Sequence, residues 1–349
     1  MKILFLHAEI MGYTLATLRA LTNMGAEIHI VHWDHRKKSL YVPESVSKIF
    51  MHSRSLTSNT DIHKLVAQFQ PNITVISGWM DRGYLEIAYS LRAKNKTVVL
   101  AFDNQWTGEL KQVFAMLLGK IGVLRKFYSH AWVAGIYQYE FARRLGYCKN
   151  EIAFDLYSAD VDLFENTYNL CINNRINDYP KKFLFVGRLE PIKGLLLLIE
   201  AWTLINKEQA SGWELQLVGS GSMSEEIEKV NGISVRPFMS PDELQNEIYT
   251  SGCFVLPSLG EPWGVVVHEF ACAGLPLIVS DVVGASSVFL IDNANGYKFK
   301  AGNCNDLAEK MTKFMNLTDD EKVAMSDISR NLSRRISPQT SAMNLLSIL

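Results

Sequence analysis

Short apolar runs alternate along the chain with longer segments whose apolar positions recur at helical spacing. The run KILFLHA (2–8) predicts a strand, and TLATLRALTNMG (14–25) predicts a helix that ends at a glycine. Further strands are predicted over 27–33, 72–78, 97–102, 131–135, 183–187, 214–219, 233–238, 253–258 and 276–281. Strands that alternate with helices indicate parallel sheets, and nearly continuous apolar strands are typical of sheets covered on both faces.

A polar stretch, ENTYNLCINNRINDYPKK (165–182), separates the predicted strands into two sets. We therefore predict an N-terminal domain over 1–165, a connection over 166–182, a C-terminal domain over 183–336 and a terminal helix over 337–349. The predicted fold class is α/β, with two doubly wound domains that face a cleft. Ligands of such sheets bind beyond the carboxyl ends of the strands, and every glycine-bearing motif described below lies at such an end.

The composition is that of an ordinary globular protein. Of the 349 residues, 48% are apolar and 20% are charged, and this length suits two domains. The formal net charge of −1 gives no reason to expect bulk binding to nucleic acid. No apolar run reaches the roughly 18 residues of a spanning helix, and the apolar start, which Glu9 interrupts, is too short for a signal peptide. The 5 cysteines show neither pairing nor metal spacing, as expected of reduced thiols in a cytoplasm.

Two cations follow the first strand of the second set. In FVGRLEPIKG (185–194), Arg188 and Lys193 stand in a turn that leads into an apolar helix. A helix N-terminus carries partial positive charge, Arg can bind two oxygens at once and Lys supplies a point charge, so the motif suits a diphosphate. The alternative is a pair of solvated surface cations. The next strand ends in LVGSGS (217–222), which by itself indicates only a tight turn.

Two glutamates stand in the apolar stretch LPSLGEPWGVVVHEFACAGLPLIV (256–279). The pattern predicts a strand, a loop that contains Glu261, and a helix from Gly264 that contains Glu269. A glycine at 264 lets backbone amides approach a ligand, and the free amides of residues 264 to 266 can hold an oxygen-rich group. The alternative is structural: Glu261 caps the helix, and Glu269 forms a buried ion pair.

The loop AFDNQWTGELKQ (101–112) follows a predicted strand and is rich in polar side chains. A tryptophan can stack on the C–H face of a sugar while amides and a carboxylate bind its hydroxyls. We therefore predict an acceptor site there, and the alternative is an ordinary loop. Its residues are Asp103, Asn104, Gln105 and Trp106. The acidic DVD (160–162) is predicted to be a solvated turn rather than a metal site.

The segment that follows this loop mixes apolar residues with Lys111, Lys120, Arg125 and Lys126. Such a mixture can lie on an anionic membrane surface, so we predict a peripheral membrane contact through 111–128. The alternative is a core helix with solvated lysines.

The order of these motifs, with VRPFMSPDEL between LVGSGS and the glutamates, resembles the retaining GT-B glycosyltransferases of the large family four. The likeness is specific across 183–300, where Glu261 and Glu269 form the Glu-x7-Glu element. It implies two Rossmann-like domains and a nucleotide-diphosphate sugar, linked to UDP or GDP, as the donor. It also implies that the terminal segment crosses back to the N-terminal domain.

The resemblance also implies roles for individual residues. Arg188 and Lys193 would hold the diphosphate, Glu269 would bind the ribose hydroxyls, and Glu261 would contact the transferred sugar. The other donor-binding positions are Gly12, Gly264, Val265 and Val266, with Phe238 and Met239 near the base. Members of the family keep the anomeric configuration and use neither a metal nor a cofactor.

The N-terminal half departs from the family at the acceptor loop. Many members carry a histidine there, whereas this chain has FDNQW, so Asp103 is the candidate catalytic residue on the acceptor side. The other candidate catalytic residues are Glu261, Arg188 and Lys193. We predict a cytoplasmic, metal-independent, retaining hexosyltransferase-like enzyme of polysaccharide biosynthesis, with the inner face of the membrane as a further location. Its acceptor would be a glycan or a lipid-linked molecule. The alternatives are a sugar-nucleotide epimerase on the same scaffold and a non-catalytic sugar-nucleotide-binding protein.

Overall fold

The computed structural model describes residues 1–34, 41–206 and 212–349. The chain divides into two compact units. The first unit contains Met1–Ser158 and Ile336–Leu349, and the second contains Ala159–Arg335. Each unit has its own parallel sheet, so the predicted α/β class with two doubly wound domains is confirmed.

The described residues of the first unit form a seven-stranded parallel sheet in the order β3-β2-β1-β4-β5-β6-β7. The central strands are buried almost throughout, because helices cover both faces of the sheet. The strands are β1 Lys2–His7, β2 Glu27–His32, β3 Ile49–Ser53, β4 Ile73–Ser77, β5 Thr97–Phe102, β6 His130–Val133 and β7 Ile152–Ala153.

Among the described residues of the first unit, three helices begin at side chains that accept hydrogen bonds from their first turns: α2 Asn59–Phe69, α3 Arg82–Ala93 and α14 Pro338–Leu346. The Ser337 side chain accepts the bond from the Thr340 amide at the start of α14. Ser58 and Asp61 form a capping box on α2, and Asp81 caps α3 through the amides of Gly83 and Tyr84. The terminal helix α14 packs on α1 within this unit. The helices are α1 Gly12–Asn23, α2 Asn59–Phe69, α3 Arg82–Ala93, α4 Leu110–Lys120, α5 Ile136–Arg144 and α14 Pro338–Leu346.

The described residues of the second unit form a six-stranded parallel sheet in the order β10-β9-β8-β11-β12-β13. Its strands are β8 Lys182–Val186, β9 Glu214–Val218, β10 Ser234–Arg236, β11 Cys253–Leu256, β12 Leu277–Ser280 and β13 Gly296–Phe299. Its helices are α6 Val161–Asn177, α7 Leu195–Asn206, α8 Ser224–Ile227, α9 Leu244–Tyr249, α10 Val265–Cys272, α11 Ser286–Phe289, α12 Cys304–Met315 and α13 Asp319–Ser333.

The strand order reverses at one point in each sheet. In the first unit the chain moves outward from β1 to β3 and then returns to add β4 on the other side of β1. In the second unit it moves from β8 to β10 and returns to add β11 beside β8. The loops after β1 and β4, and after β8 and β11, diverge there, and such reversal points are where doubly wound sheets bind ligands.

The predicted connection over 166–182 is wrong, because most of that stretch lies in helix α6 of the second unit. The chain passes between the units at Ser158 and Ala159 instead. The helix escaped prediction because its outer face is rich in asparagine, which has low helix propensity. Its inner face has helical spacing and is buried: Phe164, Tyr168, Cys171 and Arg175.

Within the described ranges the predicted strands are present, together with three strands that were not predicted: β3, β7 and β13. Each of them lies at the edge of its sheet: β3 and β7 in the first unit and β13 in the second. Strand β7 has only 2 residues. Edge strands are covered on fewer sides than central ones, so their apolar pattern is weaker. These three strands do not change the sheet order near either reversal point.

His268 of α10 connects three parts of the second unit. Its Nδ1 accepts a hydrogen bond from the Ala159 amide at 2.9 Å, and its Nε2 donates to the Ser333 carbonyl at 2.8 Å. The ring also stacks on Phe289 at 4.1 Å between centroids. Burial lowers the pKa of His268 to about 4, because the charged ring would lose its hydration.

This lowered pKa predicts acid sensitivity. Between pH 6.5 and about 4, the unfolded state binds a proton at His268 that the folded state does not, so the stability falls as the pH falls. We expect the histidine to account for up to about 3 kcal/mol of the free energy of unfolding lost over that range. Urea unfolding at several pH values measures it.

The His268→Gln variant should lose less stability on acidification than the wild type, even though its stability near neutral pH is lower. His63→Gln is the matched control, since His63 is exposed. An equal pH dependence in the wild type and His268→Gln would contradict the assignment.

Candidate active site

Two loops meet at the reversal point of the second unit. One follows β8 and the other follows β11, and the Leu259 amide donates to the Ile192 carbonyl at 2.8 Å. Gly194 has a φ of +70°, and a Cβ there would lie 2.0 Å from the Pro257 carbonyl oxygen. The glycine is required because it allows the two backbones to touch. The loops that carry Lys193 and Glu261 are thereby held together.

Lys193 and Glu261 form an ion pair, although they are 68 residues apart in the sequence. Their side chains are only 13% and 12% exposed. Ser258 also donates from Oγ to the Glu261 carboxylate at 3.3 Å. Charges removed from water interact strongly with a partner and are destabilising without one, so a ligand that separates this pair must replace the contacts of both side chains.

The backbone around Glu261 is held by the loop after β12. Glu261 forms an isolated parallel bridge with Val283, and its carbonyl accepts a hydrogen bond from the Gly284 amide at 3.2 Å. The Trp263 carbonyl accepts one from the Ala285 amide at 2.9 Å, and the Trp263 ring is buried. Three loops at the carboxyl edge of the sheet therefore determine where the Glu261 carboxylate lies.

Helix α10 begins directly after Glu261 and its loop. Gly264 is the residue before the helix and has a φ of +89°, a conformation that favours glycine. A Cβ at Gly264 would lie 3.0 Å from Cγ of Glu261, so the glycine also gives this carboxylate room. Val265 and Val266 lie in the first turn, where backbone amides have no intrahelical acceptor. The carboxylate of Glu261 therefore lies beside Gly264, the residue directly before this first turn.

Glu269 lies inside α10, whereas Glu261 lies in the loop before the helix. Burial raises the pKa of Glu269 to about 7, and the negative charge of Asp160 adds to the effect. Asp160 is the residue before α6, so the DVD element is a helix start and not a solvated turn. Its influence on Glu269 could not be found in the sequence pattern, because the two residues are far apart along the chain and meet only in the fold.

Arg188 is exposed and directly follows Gly187 at the end of β8. It is close enough to Glu190 for its charge to contribute to lowering the pKa of that carboxyl group, after the hydrogen bonds from Ser222. The Glu190 carboxylate accepts hydrogen bonds from the Ser222 amide at 3.1 Å and from its hydroxyl at 2.6 Å. These bonds hold the Arg188 loop against the LVGSGS turn.

Phe238 and Met239 follow β10 at the same carboxyl edge, and both are half-buried. The Phe238 amide donates to Oγ of Ser220 in the LVGSGS turn at 3.2 Å. Strand β10 lies two strands from β8, which places this loop about 10 Å from the Arg188 loop across the sheet. Connections at one edge of the sheet therefore carry the predicted donor residues Arg188, Lys193, Phe238, Met239 and Glu261. Helix α10 carries the others, Val265, Val266 and Glu269.

The predicted residues of the first unit also follow strand ends. Gly12 is the first residue of α1, after β1, and Asp103 directly follows β5. The ring of Tyr13 lies edge-on to that of Tyr157 at 5.2 Å. Burial raises the pKa of Tyr157, and the nearby charge of Asp103 adds to the shift. Gly12 and Asp103 therefore have a common neighbourhood around Tyr157.

The remaining residues of the acceptor loop differ in exposure. Asn104 is exposed, and Gln105 accepts a hydrogen bond at its carbonyl from the Gln112 side chain at 2.6 Å. The centroids of the Trp106 and Phe141 rings are 5.8 Å apart, and the guanidinium of Arg144 lies 4.7 Å from the centre of the Trp106 ring. These contacts attach Trp106 to the unit, so its sugar-stacking role stays a prediction without support from its surroundings.

Neither a cluster of metal ligands nor a membrane span is present in the part of the chain that the structure describes. Across those residues, no group of three or more His, Cys, Asp or Glu side chains is arranged to hold a metal ion. Among the same residues, every helix is too short or too polar to cross a bilayer.

Comparison with known proteins points to one class. Residues 172–331, in the unit that carries Lys193 and Glu261, match the family model described as Glycosyl transferases group 1. An uncharacterized glycosyltransferase of Methanocaldococcus jannaschii is 25% identical over 208 residues, which are 58% of this chain and 56% of that protein. The alignments with the next two curated relatives span 35% and 33% of their lengths. Over part of its length this chain is therefore similar to glycosyltransferases.

Solved structures agree on the fold. The crystal structure of a glycosyltransferase from Rickettsia africae aligns with a TM-score of 0.74 and 14% identity, over 99% of this chain and 97% of that chain. The structure of Anabaena HepE in complex with UDP aligns with a TM-score of 0.73 and 13% identity, over 99% and 98%. At such identities the likeness concerns the fold alone, and it agrees with two Rossmann-like units of the GT-B type.

The raised pKa of Glu269 predicts a stability that falls towards alkaline pH. Between pH 4.5 and about 7, the folded state keeps a proton at Glu269 that the unfolded state releases, so stability decreases as the pH rises. Glu269→Gln stays neutral, so its stability relative to the wild type should improve by up to about 3 kcal/mol between pH 5 and pH 8. Urea unfolding at both pH values measures the change.

Glu228→Gln, at an exposed position in the same unit, is the control and should show no such gain. If the stability difference between Glu269→Gln and the wild type were the same at pH 5 and pH 8, Glu269 would not have the assigned pKa.

Proposed function

We propose that this protein is a retaining glycosyltransferase that moves a sugar from a nucleotide-diphosphate donor to a glycan or lipid-linked acceptor. The observation that carries the proposal is the Lys193–Glu261 pair at the reversal point of the second sheet, inside the region that matches the glycosyltransferase model. A cation and a carboxylate side by side suit a ligand with an anionic part beside a hydroxyl-rich part, as in a sugar diphosphate.

In this proposal the diphosphate binds Arg188 and Lys193. Arg188 is exposed at the strand end, so its planar group can take two phosphate oxygens. When a phosphate oxygen takes the place of Glu261 beside Lys193, the carboxylate becomes available to the hydroxyls of the sugar. The amides of Val265 and Val266, in the first turn of α10, would bind oxygens next to it.

Glu269 would receive the ribose hydroxyls of the nucleotide. A carboxyl group with a pKa of about 7 exists in both protonation states near neutral pH, so it can accept or donate a hydrogen bond. Two hydroxyls would supply the partners that a carboxylate removed from water needs. Phe238 and Met239, on the loop after β10, would lie beside the base.

The chemistry assigned to the site is charge stabilisation. As the bond from the sugar to the diphosphate breaks, negative charge grows on the leaving group, and fixed cations stabilise it without a metal ion. The acceptor hydroxyl attacks the anomeric carbon from the face that the diphosphate leaves, which retains the configuration, and a phosphate oxygen takes its proton. Asp103 and Gly12 of the first unit would contact acceptor and donor phosphate, respectively.

The test of the proposal is a thermal-shift panel of UDP, GDP, ADP and their sugars. A ligand that binds only the folded state raises the melting temperature, so we expect UDP or GDP to do so and the corresponding nucleoside not to. The UDP in the HepE structure supports beginning with that nucleotide. The absence of any shift across the panel would overturn the proposal. Incubating the identified nucleotide sugar without acceptor tests the epimerase alternative, since an epimerase would convert it alone.

Arg188→Ala should lower the transfer rate. Losing one charged donor to a developing oxyanion lowers catalytic rates by roughly 10²–10³-fold, and we expect a loss of that size in kcat/KM. The assay follows release of the nucleoside diphosphate in the presence of acceptor.

Lys229→Ala is the matched control. It removes an exposed cation that precedes β10, at the opposite end of the strands, and should transfer at the wild-type rate. Near-normal transfer by Arg188→Ala would remove Arg188 from the site. A product with inverted anomeric configuration, seen by proton NMR, would contradict the retaining mechanism.

A further inference from the structure

Helix α4 presents four large apolar side chains to solvent. Their exposed fractions are 88% for Leu110, 63% for Phe114, 53% for Leu117 and 75% for Ile121, which directly follows the helix. At about 100° per residue, these positions fall within an arc of about 60° around the helix axis. We call these four residues the apolar stripe. Exposed apolar residues scattered singly need no explanation, but a continuous stripe on one helix face marks an interaction surface.

The opposite side of α4 attaches it to the first unit. Gly119 lies about 180° from Leu110 on the helix and is buried. A Cβ at Gly119 would lie 2.2 Å from the Leu145 carbonyl oxygen, so the helix touches the end of α5 through bare backbone. Ala115, on the same side, packs against the core of the unit. The helix is therefore fixed with its stripe facing outward.

Cations accompany the stripe on both sides. Lys111 and Lys120 are exposed, and each lies about 60° around the helix from the nearest member of the stripe. Lys126 is exposed just beyond, whereas Arg125 is paired with Glu151. Residues 110–128 contain no Asp or Glu, although the whole chain has 36 acidic against 35 basic residues. This surface is thus apolar in the middle, cationic at its sides and locally far from neutral.

We propose that α4 docks on an anionic lipid surface, with the apolar stripe at the boundary of headgroups and acyl chains. An apolar strip between two rows of lysines is complementary to a bilayer whose phosphates lie above its hydrocarbon. The lysine stems can lie along the apolar layer while their ammonium groups reach the phosphates. A protein partner or a second copy of this chain would need no such symmetry of cations around the stripe.

The docking face is joined to the predicted acceptor loop. Gln112 of α4 accepts hydrogen bonds from the amides of Thr107 at 2.7 Å and Gly108 at 3.2 Å, and it donates to the Gln105 carbonyl. A loop tied in this way to a membrane-bound helix would meet acceptors that are themselves anchored in lipid. This consequence, an amphiphilic acceptor with a lipid tail, rests on the proposed function, whereas the docking itself does not.

Co-sedimentation of the full chain with lipid vesicles tests the docking. One set of vesicles mixes phosphatidylglycerol with phosphatidylcholine, and the other contains phosphatidylcholine alone. We expect binding to the anionic vesicles, weaker binding to the neutral ones, and release as salt is raised to about 1 M, where charges are screened within about 3 Å. No binding to the anionic vesicles at low salt would overturn the proposal.

Paired variants locate the contact. Phe114→Gln/Leu117→Gln should weaken the partition of the protein onto vesicles at least about ten-fold, because in the wild type both apolar side chains leave water when the protein binds. Lys111→Gln/Lys120→Gln should weaken it about ten-fold on anionic vesicles and little on neutral ones. The control is Leu170→Gln/Ile176→Gln, which removes two exposed apolar residues of α6 and should bind as the wild type does.

Two further measurements distinguish lipid docking from misfolding and from self-association. The four substituted positions of α4 are exposed, so circular dichroism and the melting temperature should stay unchanged. Equal vesicle binding by the wild type and Phe114→Gln/Leu117→Gln would refute the assignment to α4. If sedimentation velocity showed a wild-type dimer that this variant loses, and vesicles bound neither protein, the stripe would be a contact between copies and the lipid proposal would be wrong.

The nucleotide thermal shift should be the same in the two α4 variants as in the wild type, because their substituted positions lie in the first unit, whereas Lys193 and Glu261 belong to the second. A failure of docking with a normal thermal shift would overturn the lipid proposal alone. A normal docking without any thermal shift would overturn the proposed function alone.

Discussion

The reversal of strand order between β8 and β11 is the constraint on which the candidate site depends. Because these strands are neighbours in space but distant in sequence, the loops that follow them are forced together at one edge of the sheet. The contact between Gly194 and Pro257 shows how close that approach is. Lys193 and Glu261 meet as a consequence, and the ion pair then replaces part of the hydration that both side chains lose.

Helix α10 shows how burial shifts the pKa values of two neighbouring groups in opposite directions. His268 and Glu269 are adjacent, and the surroundings of the helix disfavour the charged form of each. The pKa of the histidine is therefore lowered and that of the glutamate is raised. The histidine uses its neutral ring to join Ala159 and Ser333, which is a structural role. The glutamate is near Asp160 and has a pKa near neutrality, which is a feature of functional carboxyl groups more often than of structural ones.

Much of this architecture could be predicted from the sequence. Central strands such as β5 and β11 are buried on both faces and are almost entirely apolar, so their pattern is strong. The motifs at their ends were visible because glycine and charged residues follow the apolar runs. Helix α6 was missed because asparagines on its outer face hid the spacing of its buried residues. Two features of the site depend on which elements are neighbours in space: the pairing of Lys193 with Glu261, and the effect of Asp160 on Glu269. Neither could be predicted, because no local sequence pattern determines the order of strands in a sheet.

The central claim, that the Lys193–Glu261 pair marks the place of a donor diphosphate, is tested most directly by calorimetric titration of UDP and GDP. Lys193→Gln should bind the preferred nucleotide at least about ten-fold more weakly than the wild type, since hydrogen bonds to charged groups contribute about 1.5–3 kcal/mol. Glu261→Gln, which keeps the cation and removes its competitor, should bind the same diphosphate at least as tightly as the wild type. Equal affinities of the wild type and Lys193→Gln would contradict the account.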